Sequence, residues 1–272
     1  MKRFGILTRY LLPLAAFGFT LPSQAEVDGS MAFALDSIWN LERPSVSQIS
    51  DSFSSKTSKS GTTYRASAHN TPDYLIHGEE AASVLYRYKR FNATQSLWGD
   101  LPRLDMEHTR LLELSMPKKR YLAFSGPGKG LFSVTDWQRY SFLHVVDVST
   151  PSAPVYYPLL ADAYLGERVL GRLAGSPTLN YARLVPSELD AVGDPSAYEV
   201  SLYALNRKGL EPVMQDGHPL AYALTREAGT WEIAPIQATP VTDAQDQAKR
   251  PFTATALRVA PPAAPQVEAN AQ

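Results

Sequence analysis

Residues Tyr140 to Leu160, YSFLHVVDVSTPSAPVYYPLL, constrain the fold more than any other stretch of this chain. Phe142 to Val148 is rich in β-branched and aromatic side chains, Thr150 to Pro154 supplies turn chemistry, and Val155 to Leu160 resumes an apolar extended run. Proline lacks the N–H that a sheet ladder needs, so Pro151 and Pro154 lie outside the paired strands and set their ends. The stretch predicts a β-hairpin, and the rest of the chain must supply its sheet partners.

Those partners are suggested by a repeat. Segments starting at Ser83, Ser141 and Glu199 align on Val84, Phe142 and Val200, each 58 residues from the next. Every one reads as an extended run, a short polar turn and a second extended run. A strand precedes each hairpin, around Tyr64, Tyr121 and Tyr181, and a fourth run follows it: Leu111 to Leu114, Arg168 to Leu173, and Ala221 to Thr225 or Thr230 to Ile233. The expectation is a mainly β protein of antiparallel four-stranded repeats of about 58 residues, propeller-like, since one such unit cannot bury both faces alone. A β-sandwich or two small β domains is the alternative. Phe252 to Val259 alternates enough for one last strand that would pair back to the first unit.

The central segment FLHVVDVSTPSAPV resembles the bacterial β-propeller repeat in which a strand ends in Val-Asp-Val-Ser, followed by one residue, proline, two residues and proline. The matching positions are Val146, Asp147, Val148, Ser149, Pro151 and Pro154. The resemblance implies that this strand belongs to one blade, and that Asp147 and Ser149 close the turn rather than catalyse. It covers one blade; the other two units lack the aspartate and both prolines.

Outside the repeat region (62–260) the composition changes. Lys2, Arg3 and Arg9 precede the apolar run Tyr10 to Leu21, and Ser23-Gln24-Ala25 offers small residues for cleavage, so residues 1–25 read as a secretory leader. Cleavage between Ala25 and Glu26 leaves 247 residues with 23 basic and 27 acidic side chains, a formal charge of −4. Residues 26–44 form an N-terminal segment, where Met31, Phe33 and Leu35 alternate like a strand while Leu35, Ile38 and Trp39 share a helical face; a short helix begun near Asp28 is expected. The Ser/Thr-rich stretch 45–61 has no apolar face and reads as a linker or surface loop. Residues 261–272, proline and alanine without a hydrophobic face, read as a disordered tail.

Familiar chemistry is sparse. Without cysteine there are no disulfides, thiolate metal sites or cysteine nucleophile. Mild acidity without a Lys/Arg cluster argues against nucleic acid as a partner. The run Ser125-Gly126-Pro127-Gly128-Lys129-Gly130 has the wrong spacing for a phosphate loop, and a tight hairpin connection is expected there. His77 and Glu79 make a polar cluster without metal-site spacing, and His144, on the strand face of Phe142 and Val146, reads as a hydrogen-bonded core histidine. No Gly-x-Ser-x-Gly elbow occurs; Asp105, Glu107, Glu188 and Asp190 are the acids that a glycosidase pair would draw on.

Aromatic content is more suggestive: Trp98, Trp137, Tyr140, Tyr156, Tyr157 and Trp231 fall near strand ends or turns, where amphipathic rings can line a recognition surface. The expected function is an exported periplasmic binding or protein-interaction module, recognising another envelope protein or a saccharide, with no cofactor and no membrane span after leader removal. A hydrolase acting on envelope polysaccharide or peptide, and a structural envelope component, are the alternatives.

Overall fold

The computed structural model describes residues 24–39, 43–78, 81–93, 95–96, 99–100, 102–128, 140–191 and 193–236. Among the described residues the first element is helix α1, Gln24–Ile38, and every sheet pairing that follows is antiparallel. Strand β1 (Ser45–Ser50) precedes a first sheet in which β2 (Ser54–Ser58), β3 (Gly61–Arg65), β4 (Asp73–His77), β5 (Ala81–Tyr86) and β6 (Lys89–Asn92) lie side by side in chain order. A small hairpin, β7 (Gln95–Ser96) and β8 (Gly99–Asp100), follows it.

In the second sheet, β9 (Arg110–Met116), β10 (Lys119–Pro127), β11 (Tyr140–Asp147) and β12 (Val155–Asp162) are consecutive, and β1 pairs with β9 at the far end. The third orders β13 (Leu170–Gly171), β14 (Asn180–Leu189), β15 (Pro195–Asn206), β19 (Ala221–Glu227) and β20 (Thr230–Ile236), with β16 (Gly209–Pro212) also on β15. A short hairpin, β17 (Met214–Gln215) and β18 (His218–Pro219), interrupts it. Among the described residues no closed barrel or propeller forms.

The hairpin read first from the sequence is β11–β12. Pro151 and Pro154 sit in its connection, while Pro158 lies within β12, opposite His144. A proline is tolerated there because β12 ends its sheet and needs no donor on its outer side. Asp147 and Ser149 close the turn: Asp147 accepts a hydrogen bond from the Ser149 N–H at 2.9 Å, and the Ser149 hydroxyl accepts one from the Arg120 N–H at 2.9 Å.

Val84, Phe142 and Val200, the aligned positions, are fully buried on β5, β11 and β15. The runs following the first two hairpins do not complete their own sheets. Leu111 to Leu114 lies in β9 of the second sheet, and Leu170–Gly171 lies in β13 of the third. The strand beside β5 is β4, DYLIH, and not the Tyr64 strand, which is β3. Spacing along the chain identifies strands, whereas burial and register decide which neighbour each one takes.

Two further expectations change. Residues 45–61 are not a linker: they form β1, β2 and the turn into β3, exposed at every β2 position. Their backbone is satisfied by a neighbouring strand on one side, so a polar segment can be a strand wherever it needs to bury no side chain. Ser125 to Pro127 is not a turn but the end of β10, paired with Leu143 to Ser141. Gly126 is required there because a Cβ would lie 2.5 Å from the Thr109 hydroxyl.

Helix, not strand, resolves the 26–44 ambiguity. Met31, Leu35, Ile38 and Trp39 are buried, whereas Phe33, which a strand would have turned inward with them, is 75% exposed. The helix spans the expected Ala25–Glu26 junction. No described helix is long and apolar enough to cross a membrane. Residues 1–23 of the leader, the Phe252 to Val259 strand and the 261–272 tail lie outside the described residues.

A continuous core joins α1 and the three sheets. Tyrosine hydroxyls lock it by bonding across sheet boundaries: Tyr157 donates to the Asn206 carbonyl at 2.8 Å, Tyr181 to the Leu160 carbonyl, and Tyr198 to the buried Asp162 carboxylate at 2.8 Å. Burial raises the Tyr157 and Tyr181 pKa values, which keeps both hydroxyls protonated as donors.

Candidate functional site

Of the six nominated aromatics, Trp98 and Trp137 lie outside the described residues. The other four do not line a surface. Tyr140 and Trp231 are buried, Tyr157 is 1% exposed, and Tyr156 is half-buried. Trp231 packs beside Tyr198, with ring centroids 5.6 Å apart, and its backbone N–H faces the Ser30 hydroxyl of α1 at 3.4 Å. Tyr140, Tyr156, Tyr157 and Trp231 do lie near strand ends, but there they pack inward rather than line a surface.

Tyr156 belongs to an interior polar pair. Its hydroxyl lies 2.5 Å from Nδ1 of His144 and 3.5 Å from the Ala93 carbonyl, and the His144 ring is fully buried beside Tyr74 and opposite Phe124. Nε2 of His144 has no hydrogen-bond partner. A neutral ring with its proton on Nδ1 donates to Tyr156, which donates in turn to Ala93, leaving no N–H orphaned. Burial pushes the His144 pKa down to about 3 and raises that of Tyr156. The pair is a structural device, as expected for a core histidine.

His77 turns Nδ1 to the Ser60 carbonyl at 3.0 Å, Glu79 lies outside the described residues, and among those described no cluster of three metal-ligating side chains occurs.

A surface concavity of about 400 Å³ was not foreseen as a unit. It opens where the β1–β2 connection, the β2–β3 hairpin and the 102–109 loop meet. Ile76, Leu104 and Met106 are its buried apolar lining, and Phe53 and Tyr64 are half-buried walls. Asp51, Asp105 and Glu107 supply three carboxylates against one guanidinium, Arg103.

The loop carrying these groups is held firmly. The Asp105 N–H donates to the Pro127 carbonyl at 2.9 Å, the Thr109 hydroxyl donates to the Asp105 carbonyl at 2.7 Å, and the Asp105 carboxylate pairs with His108 Nδ1 at 2.9 Å. Behind it the Leu104 N–H donates to the Tyr74 hydroxyl at 3.1 Å. Arg103 reaches the Gly78 carbonyl at 3.4 Å.

Two of the four nominated acids, Asp105 and Glu107, therefore share one cleft. Glu188 and Asp190 do not join them: Glu188 is exposed on β14, and Asp190 is held by Arg226 at 2.7 Å. Asp51 is the acid that sequence reading missed, because it falls in the Ser/Thr-rich stretch taken as linker. A second hollow of about 340 Å³ contains Arg65, His69 and Arg87, but the Arg65 guanidinium is already committed to Asp73 through two hydrogen bonds. The chain matches no protein-family model, no curated protein and no solved structure.

Proposed function

We propose that this chain is an exported β-sheet module that binds another envelope protein through its open sheet edge. The observation that carries the reading is β2. All five of its positions are exposed and it ends its sheet, so alternate residues turn N–H and C=O groups outward, where a further strand can pair. Edges of this kind are the natural template for strand addition, and a long core behind them supplies rigidity. β1, exposed at its first four positions, ends the second sheet in the same way.

Export is supported by the basic start and short apolar run of residues 1–25. The reading of the sheets as stacked, propeller-like repeats is supported by the 58-residue spacing of Val84, Phe142 and Val200 and by their common burial.

The test is capture from envelope extract on the immobilised protein, followed by titration with the purified captured protein and amide hydrogen exchange of the complex. Saturable binding with new protection at 54–58 is expected. Absence of any saturable partner, or protection confined to other strands, overturns the reading. A hydrolase is favoured by one observation, the shared cleft of Asp105 and Glu107. Cleavage of envelope polysaccharide or peptide that Asp105→Asn abolishes would establish it instead.

A further inference from the structure

We propose that the acidic cleft beside β2 receives a basic, extended segment of the partner protein, added to the β2 edge as a further strand. This rests on the binding-module reading above and names the chemistry of its partner. The register makes edge and cleft one site. Ser55 lies opposite Tyr64 and Tyr64 opposite Tyr74, while Thr57 lies opposite Thr62 and Thr62 opposite Ile76. Directly paired residues share a sheet face, so Ser55 and Thr57 lie on the face that carries the buried Tyr74 and Ile76. A strand added outside β2 extends that face, and its inward side chains pass over the cleft that Ser55 helps to line.

Charge decides what those side chains are. The cleft holds Asp51, Asp105 and Glu107 against Arg103, above an apolar lining of Ile76, Leu104 and Met106. A lysine or arginine satisfies both parts: its aliphatic stem lies on the apolar surface while its cationic head stays in water among the carboxylates. An acidic segment meets repulsion, and an apolar one gains nothing from the cleft's excess of carboxylates over Arg103. The Ser, Thr and Lys side chains of β2 keep the edge soluble without occupying its backbone groups.

The experiment titrates the full-length protein with a labelled synthetic peptide of alternating lysine and threonine, read by fluorescence anisotropy. Saturable binding that weakens with added salt is expected. Asp51→Asn combined with Glu107→Gln weakens it about fivefold, the effect of losing two exposed charge pairs. Both residues are exposed, so thermal unfolding of the variant should match that of the parent. Methylating alternate peptide amides, which keeps every charge but removes ladder donors, abolishes binding.

Equal binding by a peptide with glutamate in place of lysine, or undiminished binding by the methylated peptide, overturns the proposal. So does self-association of the chain through protected 54–58 amides, which assigns the edge to a second copy. If the captured envelope protein binds parent and double variant alike and the peptide does not bind, the cleft assignment falls and the binding-module reading stands. If no partner is captured, that reading falls on its own test.

Discussion

Replacing His144 by leucine should remove the loss of stability that this buried ring imposes between pH 7 and pH 5. The ring is fully buried, and its pKa falls from 6.5 to about 3 because burial disfavours the charged form. Between those values the unfolded chain binds a proton that the folded chain refuses. The stabilising contribution is therefore complete above pH 6.5 and is lost progressively as the pH falls towards about 3. Linkage puts the loss at about 2 kcal/mol by pH 5 and ~5 kcal/mol at the acid limit.

The leucine variant loses the Nδ1–Tyr156 bond but also removes the unpartnered Nε2, so its stability at neutral pH should fall by no more than about 2 kcal/mol. Urea unfolding of both proteins at several pH values, followed by tryptophan fluorescence, gives the two curves. The difference between them should shrink, or change sign, by about 2 kcal/mol from pH 7.5 to pH 5. Parallel curves would show that His144 takes up its proton equally in both states, and the burial argument would be wrong.

Three more outcomes follow from packing. Gly171→Ala places a methyl 2.2 Å from the Trp39 ring, so α1 must move off β13; a loss of about 1–3 kcal/mol is expected in chemical denaturation, with altered Trp fluorescence. Gly61 has φ +130° and a Cβ there would meet the Ile76 carbonyl, so Gly61→Ala should cost at least ~2 kcal/mol and raise hydrogen exchange along β2 and β3. Tyr198→Phe leaves the buried Asp162 carboxylate without its hydroxyl donor and should lower stability by about 1.5–3 kcal/mol, as measured by urea midpoint.

Much of the architecture is legible in the residues alone. The β11–β12 hairpin, the buried His144 and a helix near Asp28 all follow from local rules, whereas the closure of the turn by Asp147 and Ser149 is implied by the resemblance of that segment to a propeller repeat. Alternation, proline's missing donor, and short-range hydrogen bonding each act within a few residues. By itself the sequence determined a mainly antiparallel β chain and the position of most of its strands.

Only tertiary structure decided which strands are neighbours. Leu111 to Leu114 belongs to the second sheet rather than finishing the first, and the 45–58 segment supplies an edge strand to each of two sheets. A sheet edge demands backbone hydrogen bonds without demanding buried side chains, so a serine-rich strand carries no hydrophobic signature to read. The same limit hid the cleft. Asp51, Asp105 and Glu107 are separated by up to 56 residues and are brought together because β1–β2 and the 102–109 loop pack at one corner. Tyr157 and Trp231 were visible as amphipathic rings, but whether such a ring faces solvent or another sheet depends on what packs against it, and no local pattern encodes that.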